Sequence, residues 1–133
     1  MNFHHVGVAV TDIDNSAMNL AIMGVTPTTG KTYDGGQDAT LQMFDSGGVN
    51  VELIEGNAVK GVLGGDTFKI YHVCFEVENL LDMVGRARAA GYIRISSPKS
   101  APLFDDRQVV FMMNKDNFIV EFLEAPIKEK VRI

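Results

Sequence analysis

The feature that most constrains this chain is that one pattern of strands and helix is written in it twice. Phe3-His4-His5-Val6-Gly7-Val8-Ala9-Val10 and Ile70-Tyr71-His72-Val73-Cys74-Phe75-Glu76-Val77 both read as strands and align without a gap. Each leads through polar residues into a helix. The first helix has Asp12 and Asp14 as candidate caps, a body near Asn15 to Met23, and Gly24 as its stop. The second has Asn79 as cap, Leu80, Val84 and Ala87 at helical spacing, and Gly91 as stop. Three strand-like runs follow each helix: Thr26 to Tyr33, Ala39 to Phe44 and Asn50 to Glu55, then Tyr92 to Ser96, Gln108 to Met113 and Phe118 to Glu124. Turn formers such as Asp34-Gly35-Gly36 and Asp45-Ser46-Gly47-Gly48 separate them.

The expected fold class is therefore α+β. Two tandem βαβββ modules, residues 1–56 and 70–133, are joined by a linker at 57–69 and form an open, barrel-like cup of eight strands in a mixed sheet. A length of 133 residues suits a single domain. The linker residues Ala58, Val59, Val62 and Leu63 suit either partial burial or a contact between two copies. A homodimer is compatible with this pattern, since such modules can close the cup within one chain or across two.

The repeat also aligns chemistry. Its strand histidines, His5 and His72, lie 67 residues apart (72 − 5), and its strand glutamates, Glu52 and Glu121, lie 69 apart (121 − 52). A pseudo-twofold arrangement brings all four together. Strand alternation puts Val6, Val8 and Val10 on one face and His5, Gly7 and Ala9 on the other. By the same rule Val73, Phe75 and Val77 lie under a helix, while His72, Cys74 and Glu76 face the cup. Val51, Leu53, Val120 and Phe122 pack outward, so Glu52 and Glu121 face inward. His4 falls on the valine face, as an edge or surface residue. Glu55 and Glu124 fall opposite the paired glutamates, towards solvent.

Taken singly, a strand histidine or glutamate is an ordinary structural or surface residue. Four of them at equivalent places on one face point to a metal centre. Two imidazoles and two carboxylates neutralise a divalent cation, and such a nitrogen-and-oxygen set accepts Zn, Ni, Co, Mn or Fe alike. A closed structural zinc site more often uses cysteines.

The net charge of −5 and the scattered basic residues exclude a nucleic-acid backbone as the main partner. Lys128, Lys130 and Arg132 read as a solvated tail. No apolar run reaches the ~18 residues of a membrane span, and Met1 to Val10 lacks the basic start of a signal peptide. The one cysteine, Cys74, permits no internal disulfide, which fits a reducing, cytoplasmic setting.

The strand His5-Val6-Gly7-Val8-Ala9-Val10-Thr11-Asp12-Ile13-Asp14, with Val51-Glu52-Leu53-Ile54-Glu55, Tyr71-His72-Val73 and Val120-Glu121-Phe122-Leu123-Glu124, resembles the vicinal oxygen chelate superfamily. That superfamily includes glyoxalase I, methylmalonyl-CoA epimerase, extradiol dioxygenases and bleomycin-resistance proteins. The resemblance spans nearly the whole chain and is strongest to the methylmalonyl-CoA epimerase-like branch. It implies that His5, His72 and Glu121 are metal ligands, with Glu52 on the fourth ligand strand. It implies a small-molecule substrate and proton transfer beside a carbonyl, as in an epimerase or isomerase acting on an acyl thioester.

Glu121 is then the first candidate base, Glu52 the second and Asp38 the third. The chain departs from the epimerase pattern where a loop glutamate is usual. Asp34-Gly35-Gly36-Gln37-Asp38 stands there, which makes Gln37 and Asp38, with Cys74 in the cup, the candidate substrate contacts. The His-Glu-His-Glu order equally resembles glyoxalase I-type enzymes. A protein that only sequesters a small molecule, as bleomycin-resistance proteins do, has no need of four convergent metal-type side chains.

Overall fold

In the computed structural model, which describes residues 1–126, a single mixed sheet runs through both halves of the chain. The first half contributes β1 (Asn2–Val10), α1 (Ile13–Ala21), β2 (Thr26–Pro27), β3 (Thr32–Asp34), β4 (Ala39–Asp45) and β5 (Asn50–Glu55). A helix, α2 (Asn57–Leu63), leads to the second half: β6 (Phe68–Val77), α3 (Leu80–Ala89), β7 (Ile93–Arg94), β8 (Lys99–Ala101), β9 (Arg107–Met113) and β10 (Ile119–Glu124). A short 3-10 turn, Pro102–Phe104, sits between β8 and β9. The strand order is β2-β4-β5-β1-β6-β10-β9-β7, with β3 on β4 and β8 on β9. The tail lysines and arginine, Lys128, Lys130 and Arg132, lie outside the described residues.

The two halves meet where β1 and β6 pair antiparallel. Each of these strands is flanked by the last strand of its own half in parallel, β5 beside β1 and β10 beside β6. The four strands that bear the paired histidines and glutamates are thus the four adjacent central strands of the sheet.

The α+β class and the open sheet agree with the sequence pattern, but the described residues form ten strands rather than eight. In the first half the run Thr26 to Tyr33 is broken into β2 and β3, because Pro27 has no N–H to donate and Gly30 interrupts the pairing. In the second half the run Tyr92 to Ser96 shortens to β7, and β8 is an additional strand beyond Pro98 that the run did not include. The segment read as a linker is partly helical, and Val59 and Leu63 of α2 are buried against Ala9, Ala39, Leu41 and Ile54. Both residues belong to the core rather than to an exposed contact.

The helix signals work as read. Asp12 accepts from Asn15 N at 3.2 Å and Asn79 accepts from Asp82 N at 2.9 Å. Gly24 and Gly91 end the turns at φ of 78° and 98°. Glu55, expected in solvent, instead accepts a hydrogen bond from Ile13 N at 2.8 Å and so satisfies an open donor at the start of α1.

Outside the sheet, α1 covers Val8, Val10, Phe44 and Leu53, and α3 covers Val110, Met112, Val120 and Phe122. Inside, α2 and the 3-10 turn fill the cup, with Phe104 packed among Met43, Cys74, Val109 and Leu123. Among the described residues no helix is long and apolar enough to cross a membrane.

Candidate metal centre

The four repeat-related residues converge. His5, Glu52, His72 and Glu121 each offer an atom within 4.8 Å of the others, and all are at most 3 % exposed. The two Nε2 atoms stand 3.2 Å apart. Glu121 Oε1 lies 3.1 Å from His5 Nε2 and 3.3 Å from His72 Nε2. Glu52 Oε1 lies further back, at 3.6 and 3.8 Å from the same two atoms.

These separations fit a shared cation. Ligands at right angles, about 2.1 Å from one ion, stand roughly 3.0 Å apart. Glu121 Oε1 is buried with no hydrogen-bond partner among the described residues, an orphaned acceptor that a cation would satisfy. Four nitrogen and oxygen donors from four adjacent strands could therefore hold one divalent ion.

Gly7 makes room for this arrangement. It pairs with His72 across β1 and β6, and a Cβ at Gly7 would overlap the His72 ring at Cε1, Nδ1 and Nε2. The ring lies on the bare backbone, with Tyr71 and Phe111 edge-on to it at 4.5 and 5.2 Å between centroids. The equivalent position in the second half is Cys74, which pairs with His5 and is fully buried beside it. Burial pushes its thiol pKa up to about 12, so it remains a neutral lining group.

Strand alternation misses two residues of the centre. The β1–β6 ladder shifts register between Phe3 and His5 and again between Gly7 and Val8. His4 is the unpaired extra residue at the first shift and Tyr71 at the second, each directly before a histidine of the cluster. A bulge of this kind reverses the facing of what precedes it. His4 therefore turns inward, and its Nδ1 lies 2.8 Å from His5 Nδ1. Its ring meets Phe104 edge-on at 5.0 Å.

Tyr71 turns inward as well and packs against the inner cluster of Leu41 and Ile54. Burial, then the charges of Glu52 and Glu121, hold its phenol protonated far above the usual range. No sequence signal marks a bulge directly. The matched pair of aromatic residues before His5 and His72 was the available hint.

The loop residues are placed differently. Gln37 donates to Asp34 Oδ2 at 2.8 Å. Asp38 is exposed and its carboxylate is taken up by Tyr33 and Asn57 at 2.8 and 2.7 Å. Neither belongs to the convergent cluster. Asp38 instead lines an open surface hollow with Lys31, Glu55 and Lys60.

Protons would compete with a cation for the cluster. Burial disfavours the imidazolium of His5, but the Glu52 charge and contacts with Cys74 and Glu121 outweigh it and raise the pKa well above 6.5. Burial would raise Glu121, but His5 and His72 outweigh it and hold the carboxyl well below the usual range. The linkage signs follow. The His5 contribution to metal-free stability is complete below its unfolded value of 6.5 and is lost as pH rises through the folded value. The Glu121 contribution is complete above its unfolded value of 4.5 and is lost as pH falls towards the folded value.

Melting curves of chelator-treated protein are thus expected to peak between pH 4.5 and 6.5 and to decline above it. Divalent-cation affinity should instead rise across that upper range, because the ligands must lose their protons. A metal-free melting temperature that rises from pH 6.5 to about 9 would contradict the sign assigned to His5.

No curated protein matches the chain. Solved structures do, at low identity. A methylmalonyl-CoA epimerase from Mycobacterium tuberculosis superposes with a TM-score of 0.79 at 19% identity, covering 94% of this chain and 89% of its own. A hypothetical protein from Bacillus halodurans C-125 gives 0.79 at 18%, with 97% of each chain covered. A Streptomyces coelicolor methylmalonyl-CoA epimerase in complex with 2-nitronate-propionyl-CoA gives 0.78 at 16%, covering 96% and 99%. At such identity these likenesses establish the fold. Residues 4–111 match the sequence model of the glyoxalase/bleomycin resistance protein/dioxygenase superfamily, and the chain belongs to that superfamily.

Proposed function

We propose that this protein is a metal-dependent isomerase or epimerase that moves a proton at a carbon alpha to a carbonyl, on a small acyl thioester. The observation that carries this reading is the buried convergence of His5, Glu52, His72 and Glu121. The epimerases that share the fold, one of them seen with methylmalonyl-CoA and another with a nitronate analogue of propionyl-CoA, support the substrate class.

A divalent ion held by these four residues would supply Lewis-acid stabilisation of the negative charge that develops on a carbonyl oxygen, worth roughly several kcal/mol. The chain supplies the rest. Phe104, Phe111 and Tyr71 crowd the two histidine rings and exclude water from them. A carboxylate takes the α-proton. Glu52 now ranks before Glu121 for that role. Glu121 Oε1 stands closer to both imidazoles than Glu52 Oε1 does, so it is the more tightly engaged of the two carboxylates. Tyr71, kept protonated, is a donor facing the same cup.

Incubation of the metal-loaded protein with methylmalonyl-CoA in deuterated water tests the reading. Exchange of the α-hydrogen is expected, and Glu52→Gln is expected to slow it about 100- to 10,000-fold per bound metal ion. A loaded protein that catalyses no exchange on the thioester, but isomerises the thiol adduct of a ketoaldehyde, would transfer the assignment to glyoxalase I-type chemistry. Retained small-molecule binding with no bound metal would favour sequestration.

A further inference from the structure

The two halves of the repeat support their histidines unequally. His5 has a polar partner on its outer nitrogen: His4 Nδ1 at 2.8 Å from His5 Nδ1. His72 Nδ1 is buried without any hydrogen-bond partner among the described residues. The residue equivalent to His4 is Tyr71, whose ring contacts the His72 ring edge-on at 4.5 Å and offers it no hydrogen bond. So the bulge places a nitrogen base behind one ligand and only a hydrocarbon edge behind the other.

Two nitrogens at 2.8 Å need one proton between them, with one donating and the other accepting. His5 Nε2 faces Glu121, Glu52 and His72, so His5 can ligate a cation only through a lone pair on Nε2. Its remaining proton must then sit on Nδ1 and be donated to His4. His4 suits the acceptor role. Its ring is fixed by Phe104, and the 3-10 turn bearing Phe104 is tied down by Arg107, which donates to Phe104 O at 3.1 Å and pairs with Glu76 at 2.7 Å.

We propose that His4 is a positioning residue for the metal centre: it accepts the Nδ1–H of His5 and thereby presents His5 Nε2 as a ligand of fixed tautomer and orientation. The proposal rests on the metal-centre reading. Partners of this kind typically change metal affinity about 10- to 100-fold. Their effect comes from fixing the tautomer and from making the ligand nitrogen more basic.

The test uses the full chain with Zn(II) as the probe. Long-range proton–nitrogen spectra of the zinc-loaded protein are expected to show a proton on His5 Nδ1, and His4 carrying its proton on Nε2 only. Chelator competition is expected to give Zn(II) affinity about 10- to 100-fold weaker for His4→Phe, which keeps the ring on Phe104 but has no acceptor. His4→Asn, whose side-chain oxygen can reach the same proton, is expected to recover most of that loss.

A proton found on His4 Nδ1 would overturn the proposal. So would His4→Phe binding Zn(II) as tightly as the unmodified chain, or His4→Asn binding no better than a poorly folded His4→Phe. If the unmodified chain took up no Zn(II) or other divalent ion, the metal-centre reading itself would fall. A tightly bound ion indifferent to His4 would overturn this inference alone.

Discussion

Replacement of His72 by alanine is expected to weaken divalent-cation binding more than ~100-fold, because losing a ligand costs more than losing the outer partner of one. His72 Nε2 is 3.2 Å from His5 Nε2 and 3.3 Å from Glu121 Oε1, so it forms one side of the cluster. Its removal also leaves Glu121 with one imidazole fewer holding it ionised. Elemental analysis of purified wild-type and His72→Ala protein reads the effect directly. A stoichiometric ion in the wild type and none in the variant is the expected result. An equal metal content in both would remove His72 from the ligand set.

Gly7→Ala is expected to be nearly as damaging, although Gly7 carries no functional group. The added Cβ would overlap three atoms of the His72 ring. Overpacking of a closed interior costs about 1–3 kcal/mol where side chains can shift. Here the ring is boxed in by Tyr71 and Phe111, so it has little freedom to move aside. The variant should melt several degrees lower and lose most of its cation affinity.

The combination with His72→Ala separates these causes. With the ring removed, the three atoms nearest the added Cβ are gone, and Gly7→Ala should cost much less stability in that background. Such non-additivity is the signature of two residues in contact. An undiminished cost in the double variant would show that Gly7 matters for its backbone rather than for the space it leaves.

Much of the centre was legible because it rests on the two periodicities that sequence displays well. The repeat aligned His5 with His72 and Glu52 with Glu121. Alternation along β1, β5, β6 and β10 then put all four on the inner face, opposite Val8, Leu53, Phe75 and Phe122. The ordinary end signals of α1 and α3 were equally readable, since a cap or a stop glycine acts within one turn of chain. The second strand of each half was less so. It is an edge strand held by few partners, broken after Pro27 in the first half and ending before Pro98 in the second.

By itself, then, the sequence determined the fold class, the internal repeat and the identity of the four convergent side chains, while the pairing of the two halves through β1 and β6 within one chain came from the tertiary structure. It did so because strand alternation and the repeat are properties of the chain's own order. Only the tertiary structure decided that His4 and Tyr71 also face the centre. A bulge arises from the pairing of two strands 67 residues apart, and neither strand shows it alone. The tertiary structure likewise decided that Asp38 spends its carboxylate on Tyr33 and Asn57. A turn residue's partners depend on which distant segments fold back beside it, and no local pattern encodes that.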